Sequence, residues 1–343
     1  MRWRCRSSVP FLSFLPWLDF ALGFFSAATE RVVSKNAVAN IYCEQRQDMW
    51  LSHRGAVGGS SSPAPAFDTK SNSLGSPEPL RSLEIGECML LVPANNVTIQ
   101  RIAHVPDMFV LRSFLPTPEE LIQRCAAMKM QNAETKSGST MHRTKSNVVF
   151  VPPSDEEIGD VVQFMTAFCC HGFVPEELGD EYDPEHLQVA RYTKGGKFDL
   201  HHDGHGRVVT VLTYLNGIAD TWFPYALIEK AVRKGETEQG KQEVPDMVLE
   251  GDGMAVGKIP GQDGIWIVGD ETPTVAASNN NHTVRVQAGD AVVFYNYEYS
   301  STFDCPVMNW RGLHAGRPAQ SEKWIATNWI ASSYCNTPEQ YRK

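Results

Sequence analysis

The chain has 343 residues, of which 42% are apolar, 21% are charged and 10% are aromatic, and its formal net charge is −9. This composition is typical of a globular protein and excludes a wholly disordered, collagen-like or coiled-coil chain. The acidic balance disfavours a dedicated nucleic-acid binder, and a basic peptide or protein substrate suits it better. Eight cysteines without a Cys-x-x-Cys pair disfavour a disulfide framework, a zinc ribbon and a thioredoxin-like redox site.

The N-terminal third of the chain is predicted to contain a targeting segment and a linker rather than an active site. Residues 1–28 join three early arginines to an apolar stretch that ends in small residues, which predicts a signal peptide or a short membrane anchor. Entry into the endoplasmic reticulum or the secretory pathway follows, with the cytoplasm or another organelle as the alternative. Residues 29–101 are predicted to be a linker and a poorly defined N-terminal region, because 54–80 is rich in Gly, Ser and Pro.

Two helices are predicted next, at Thr117-Pro118-Glu119-Glu120 and at Ser154-Asp155-Glu156-Glu157, because both strings have the pattern of a helix N-terminus followed by apolar residues at helical spacing. From Leu187 onwards the pattern changes to short strands. The predicted strands are Leu187–Tyr192, Val208–Leu215, Val284–Val286, Ala291–Tyr297 and Trp324–Ile330. This rhythm predicts an antiparallel sandwich or barrel, with an insertion at about 225–283 where it is lost.

The chemistry-bearing string is Phe198-Asp199-Leu200-His201-His202-Asp203-Gly204-His205. On a strand, His201 and Asp203 project to one face and His202 to the other. A His-x-Asp pair with a distant histidine is the ligand set of the non-haem Fe(II) oxygenases. His314, just before the last predicted strand, is the candidate for that third ligand. Two alternatives stay open at this point: a helical zinc site that uses His201 and His205, and surface histidines on a turn.

Residues 106–334 resemble the catalytic domain of the prolyl 4-hydroxylases, within the Fe(II)/2-oxoglutarate dioxygenase superfamily. The matching segments, in chain order, are Phe109-Val110-Leu111, Arg143-Thr144-Lys145-Ser146, Tyr192 through Gly195 and Phe198 to His201 and Asp203, Arg207 through Leu215, Thr221-x-Phe223-Pro224, Ala288-Gly289-Asp290-Ala291, and Leu313-His314-Ala315-Gly316 with Glu322-Lys323-Trp324-x-Ala326-Thr327-x-Trp329-Ile330. Several segments in register are far more specific than any one of them.

The resemblance implies an α+β, mainly β, fold: a double-stranded β-helix (jelly-roll) core with packing helices on its N-terminal side, spanning 102–334. It implies hydroxylation of a peptide or protein side chain, most simply proline, with Fe(II), 2-oxoglutarate, O2 and L-ascorbate, and release of succinate and CO2. The alternatives are a lysyl hydroxylase, a nucleic-acid demethylase and a catalytically inactive binding module. The expected partner is a peptide or protein substrate, without nucleic acid.

The resemblance also assigns roles to single residues. It implies that His201, Asp203 and His314 bind the iron, and that Lys323 pairs with the distal carboxylate of 2-oxoglutarate. Tyr192 would donate a hydrogen bond to that carboxylate and Thr327 would line its pocket. The two residues implied in substrate binding are Arg207 and Phe198. The family usually has tyrosine at the position of Phe198, and the loop from Asp203 to Arg207 is short for the family.

Overall fold

The computed structural model describes residues 75–92, 96–133, 142–178, 181–204, 206–228, 248–250, 254–256, 264–270, 282–300 and 305–335. Within them, the helices are α1 (Glu78–Arg81), α2 (Pro118–Ala127) and α3 (Gly159–Phe173), with 3-10 turns at Glu176–Leu178, Trp310–Gly312 and Ser333–Cys335. The strands are β1 (Cys88–Val92), β2 (Val97–Ala103), β3 (Met108–Arg112), β4 (Gln131–Asn132), β5 (Arg143–Val151), β6 (Asp183–Pro184), β7 (Leu187–His201), β8 (Arg207–Tyr214), β9 (Asp220–Phe223), β10 (Val248–Glu250), β11 (Met254–Val256), β12 (Ile265–Gly269), β13 (Thr283–Val286), β14 (Ala291–Tyr295), β15 (Tyr297–Ser300), β16 (Cys305–Met308), β17 (His314–Gly316) and β18 (Lys323–Ala331).

One large sheet organises the fold, with its main path in the order β1-β2-β3-β14-β8-β18-β7-β17-β9-β12-β13. The long strand β7 pairs with β18 through its first residues and with β17 through its last ones, so it belongs to both halves of the sheet. All pairs along this path are antiparallel except β12 with β13. The sheet therefore curls over itself, which confirms the predicted mainly β, jelly-roll fold.

The strand β8 separates two hydrophobic cores, because its side chains alternate between the faces of the sheet. Val209 and Val211 pack into the core that contains α3 on the outer face. Leu212 and Tyr214 point inward and pack with Phe294 between the two halves of the sheet. The helices thus cover one face of the sheet, as predicted, and leave its interior for the residues between the halves.

The two predicted helices differ in where they begin. The helix α2 begins at Pro118, directly after Thr117, as the sequence pattern predicts. The start predicted for the second helix at Ser154 is wrong, because α3 begins at Gly159. The Asp155 carboxylate accepts hydrogen bonds from the backbone N–H groups of Glu157 and Ile158, at 2.9 and 3.1 Å, and so closes a separate turn before the helix.

The sheet begins earlier than the domain boundary predicted at 102, which lies inside β2. Ser76 is already buried, and its backbone N–H and its hydroxyl both donate to the Asp107 carboxylate, at 3.0 and 2.7 Å. The predicted signal or anchor segment 1–28 and most of the linker lie outside the described residues. Among the described residues, no helix is long and apolar enough to cross a membrane. The division of the chain into domains stays a prediction.

The range predicted as an insertion, 225–283, contains one strand of the large sheet. This strand, β12, is buried and pairs with both β9 and β13. The strands β10 and β11 pair with each other as a separate two-stranded sheet. Most of the remaining residues of the range lie outside the described part of the chain. The sequence lost its strand rhythm here because β12 is a short apolar run within a Gly- and Asn-rich context.

Candidate functional site

Two histidines meet where β7 and β17 pair. His201 is the last residue of β7 and His314 is the first of β17, and the two are register partners in the antiparallel ladder. Their ring centroids lie 4.3 Å apart. Because Asp203 follows β7 by two residues, its carboxylate reaches the same face as His201. The sheet register therefore brings together residues that are more than a hundred positions apart in the sequence.

The three side chains present one ligand atom each to a common point. The Asp203 Oδ1 atom lies 3.8 Å from Nε2 of His201 and 3.9 Å from Nε2 of His314. All three ligand atoms lie within 4.8 Å of one another, and all three residues are buried. Two imidazole nitrogens and one carboxylate oxygen in this arrangement match the facial triad that leaves open positions on a non-haem Fe(II) ion.

Backbone carbonyls hold both imidazoles in the tautomer that a metal needs. The His201 Nδ1 lies 2.8 Å from the Asp199 carbonyl oxygen, and the His314 Nδ1 lies 3.0 Å from that of Gly312. A carbonyl only accepts, so each Nδ1 carries the proton and each Nε2 keeps a lone pair. Such partners orient metal-binding histidines and increase their basicity.

The electrostatics of the cluster favour the ligating forms. Burial, and then the neighbouring His314, lower the pKa of His201 well below its ordinary value, so this imidazole is neutral at neutral pH. Burial by itself raises the pKa of Asp203, but the neighbouring His314 and the hydrogen bond from Thr210 bring that pKa below its ordinary value. A neutral imidazole and an ionised carboxylate are the forms that bind a divalent metal, so these residues fit Fe(II).

Aromatic rings enclose the two histidines. The Phe198 ring stacks on His201 with centroids 3.6 Å apart. On the other side, Phe223 and Phe294 pack against His314 with centroids 5.3 and 4.8 Å away. These contacts restrict the imidazole rings to one orientation and exclude water from the walls of the site.

The neighbouring histidines do not join this cluster. His202 points away from His201 and is buried, and its Nδ1 accepts a hydrogen bond from the Gly204 N–H at 3.1 Å. Burial lowers the pKa of His202 to about 4, so it is neutral. The helical zinc alternative is wrong, because His201 ends a strand. His205 lies outside the described residues.

A buried lysine lies beside the histidines. Lys323 is 2% exposed and is the register partner of Tyr192, whose ring centroid lies 4.8 Å from Nζ. A Cβ atom built on Gly316 would lie 3.6 Å from this Nζ and 3.6 Å from the Cβ of Phe198. Gly316 therefore lies between the ammonium group and Phe198, whose ring forms one wall of the site. Thr327, farther along β18, is also buried.

The charge of Lys323 is only partly compensated. Burial lowers the pKa of Lys323 to about 8, and Arg143 lowers it as well, while Asp220 acts in the opposite direction. Among the hydrogen bonds and ion pairs of the described residues, none joins this ammonium group to a carboxylate. A buried cation without a close anionic partner is costly and fits a site that receives a carboxylate.

Arg143 is a second buried cation here, and no functional role was predicted for it from the sequence. Its guanidinium lies over the rings of Tyr192 and Phe198, at 5.4 and 5.0 Å from their centroids, and Nη2 donates to the Gln188 side-chain oxygen at 3.2 Å. The sequence signal for Arg143 is its place in the family-like segment Arg143-Thr144-Lys145-Ser146, and the register of β5 with β7 decides what its side chain faces.

Arg207, a predicted substrate contact, already has partners within the chain. Its Nε and Nη2 donate to the two carboxylate oxygens of Glu185, at 2.7 and 2.8 Å. The guanidinium lies 3.8 Å from the ring centroid of Trp329, and Nη1 donates to the Asp203 carbonyl at 3.4 Å. The structure thus fixes Arg207 beside an iron-ligand candidate, and substrate contact by Arg207 and by Phe198 stays a prediction.

One family model and several known proteins are similar to this chain. Residues 187–331 match the family model described as 2OG-Fe(II) oxygenase superfamily. Prolyl 4-hydroxylase 2 of Arabidopsis thaliana is 24% identical over 274 residues, covering 72% of this chain and 76% of the relative. Probable prolyl 4-hydroxylase 6 of the same plant is 26% identical over 254 residues, covering 68% and 71%. The crystal structure of a viral collagen prolyl hydroxylase from Paramecium Bursaria Chlorella virus-1 is 18% identical, with a TM-score of 0.37, and covers 66% of this chain and 96% of the viral one.

Proposed function

We propose that this protein is a 2OG-Fe(II) oxygenase, whose family model residues 187–331 match, and that it hydroxylates prolyl residues of a peptide or protein substrate. Fe(II), 2-oxoglutarate and O2 are the cofactors and co-substrates that the family implies. When bound, they supply oxidative decarboxylation of 2-oxoglutarate to succinate and CO2 and insertion of one oxygen atom into a substrate C–H bond.

One observation carries the proposal: the convergence of Asp203 Oδ1 with the Nε2 atoms of His201 and His314, at 3.8 and 3.9 Å. Among the described residues, these three buried side chains are the group of His, Cys, Asp or Glu whose ligand atoms lie close enough together to hold a metal ion. The carbonyl partners of both Nδ1 atoms support the proposal, because they leave the lone pairs of the two Nε2 atoms for a metal. His201, Asp203 and His314 would therefore hold Fe(II).

The protein's other contribution is to bind and orient the 2-oxo acid. Lys323 would pair with its distal carboxylate, because the ammonium group is buried and no ion pair of the described residues joins it to a carboxylate, although Asp220 acts on it from farther away. Tyr192, the register partner of Lys323, would donate a hydrogen bond to the same carboxylate, and Thr327 would line the pocket. The rings of Phe198, Phe223 and Phe294 would keep water from the reacting centre.

Proline is the proposed acceptor because both relatives described above are named as prolyl 4-hydroxylases. Arg207 and Phe198 would contact the peptide, since both adjoin the metal ligands. We further propose L-ascorbate as the reductant that keeps the iron in its ferrous state. Entry into the secretory pathway through residues 1–28 is also proposed. Protease treatment of a membrane fraction tests this entry: protection without detergent is expected, and full sensitivity would contradict it.

The function is tested by succinate formation with Fe(II) and 2-oxoglutarate in the presence of a library of proline-rich peptides. Mass spectrometry of the peptides then locates any added oxygen atom. We expect peptide-dependent succinate and oxidised proline from the wild type and from His171→Ala, a control on the exposed end of α3, but neither product from His314→Ala. Oxygen on lysine would assign a lysyl hydroxylase. No succinate from the wild type under any condition would overturn the proposal in favour of a binding module.

A further inference from the structure

A buried hydrogen-bond relay, formed by Asn296, Thr210 and Asp203, runs from Asp203 away from the two histidines. The Thr210 hydroxyl lies 2.5 Å from Asp203 Oδ2, and the Asn296 Nδ2 lies 2.8 Å from the same hydroxyl oxygen. Thr210 is in β8 and Asn296 directly follows β14, and both are buried completely. Neither residue was singled out by its sequence context.

The available donors and acceptors fix the direction of hydrogen-bond donation along this relay. An ionised Asp203 only accepts, so Thr210 must use its single proton for Oδ2. The Thr210 oxygen is then free only as an acceptor, which requires the amide nitrogen of Asn296 to face it. The direction of donation runs from Asn296 through Thr210 to Asp203, and ends on the carboxylate oxygen that is not shared between the histidines.

Asn296 is itself anchored by its backbone. Its N–H donates to the Val208 carbonyl, and its own carbonyl accepts from the N–H of Asn309, both at 2.9 Å. One contact ties Asn296 to the strand that carries Thr210, and the other ties it to the segment that leads to His314. The relay therefore starts from a residue whose backbone is hydrogen-bonded on both sides, between the elements that supply the metal-binding side chains.

We propose that Thr210 and Asn296 are positioning residues of the metal site. They hold Asp203 so that Oδ2 is occupied and Oδ1 alone faces the two Nε2 atoms, which makes the carboxylate a one-oxygen ligand and preserves the open positions on the metal. The inference rests on the proposed function, because it requires that the three residues bind a divalent ion.

The test measures Mn(II) affinity by the loss of the free-ion electron paramagnetic resonance signal, without 2-oxoglutarate or turnover. Thr210→Val removes the hydroxyl at nearly constant volume, and we expect Mn(II) binding to weaken by about 10- to 100-fold, as for other outer-shell partners of metal ligands. Thr210→Ser keeps the hydroxyl and is expected to restore wild-type affinity.

The same strand offers a matched control. Thr213 is also buried in β8, and its hydroxyl has no hydrogen-bond partner within the described residues. Thr213→Val is therefore expected to leave Mn(II) affinity unchanged. Melting temperatures of the metal-free variants show whether each one folds. If Thr213→Val weakens binding as much as Thr210→Val, general loosening of the core explains the effect and the proposal is overturned.

Asn296→Leu tests the second link. On its own, it is expected to weaken Mn(II) binding less than Thr210→Val, since the hydroxyl still reaches Asp203. In the Thr210→Val background it should have no further effect, because the connection to Asp203 is already broken. Additive losses would contradict the relay. If the wild type binds no Mn(II), the proposed function fails, whereas equal binding by the wild type and Thr210→Val overturns only the relay.

Discussion

His201 and His314 are register partners on the antiparallel strands β7 and β17, with ring centroids 4.3 Å apart. Partners in such a ladder point to the same face of the sheet, so the pairing alone directs both imidazoles to one place. Each ring is then fixed by a backbone carbonyl two residues earlier in its own chain segment. The positions of the two imidazoles are therefore built into the sheet, and Asp203 joins them from the segment that directly follows β7.

Variants of the adjacent residues His201 and His202 should distinguish an effect on metal binding from an effect on the stability of the fold. His201→Gln removes a proposed ligand, so the rise in melting temperature on adding saturating Mn(II) should be lost. A metal at 100 times its dissociation constant stabilises the wild type by about 2.7 kcal/mol. His202→Gln should lower the melting temperature of the metal-free protein, because a buried hydrogen bond to Gly204 is disturbed, but keep the metal-induced rise. Thermal unfolding with and without Mn(II) measures both, and a preserved rise in His201→Gln would contradict the assignment.

Removal of the Lys323 charge should weaken 2-oxoglutarate binding. Lys323→Met keeps the buried volume but loses the ammonium group, and we expect the dissociation constant for 2-oxoglutarate to rise by about 10- to 100-fold, the range of a hydrogen bond to a charged group. Lys323→Arg keeps a cation and should be affected much less. Calorimetric titration of the Mn(II)-loaded proteins measures this difference. Equal affinity in the wild type and Lys323→Met would show that the carboxylate binds elsewhere.

The affinity for 2-oxoglutarate should fall above pH 8. Burial lowers the pKa of Lys323 to about 8, so the group is protonated below that pH and loses its charge as the pH rises through it. Because the carboxylate binds the protonated form, the dissociation constant should increase by about tenfold per pH unit above pH 8. Lys323→Arg stays charged and should show no such rise. Titrations between pH 7 and 9 compare the two proteins, and parallel profiles would point to another titrating group.

The ion pair between Arg207 and Glu185 should serve substrate binding rather than metal binding. Arg207→Gln is expected to raise the KM for a hydroxylated peptide by about tenfold, the effect of one or two lost hydrogen bonds. Glu185→Gln should shift KM in the same direction but less, because the stacking of Arg207 on Trp329 remains. Peptide-independent turnover of 2-oxoglutarate should change less than the peptide KM in both variants, because the contact of Arg207 with Asp203 is to its backbone carbonyl. An unchanged peptide KM in Arg207→Gln would exclude Arg207 from the substrate site.

The local part of the site was predictable from the sequence. Strand alternation alone places His201 and Asp203 on one face and His202 on the other, and the structure has them so. The strands β8, β14 and β18 were also predictable, since each is a buried run of β-branched and aromatic residues. The start of α3 was not, because the Asp155 carboxylate caps a separate turn through Glu157 and Ile158 and the helix begins only at Gly159.

Periodicity along the chain determined which residues of this protein can share a strand face, and the order of its motifs produced the resemblance to the prolyl 4-hydroxylases. Only the tertiary structure decided which strands are neighbours. That arrangement pairs His201 with His314, buries Arg143 beside Lys323 and forms the ion pair between Arg207 and Glu185. The relay from Asn296 through Thr210 to Asp203 belongs to the same class. Thr210 and Asp203 are 7 residues apart, but the other contacts join residues that are 22 or more positions apart. The sheet register that creates these contacts results from packing of the whole domain rather than from any local pattern.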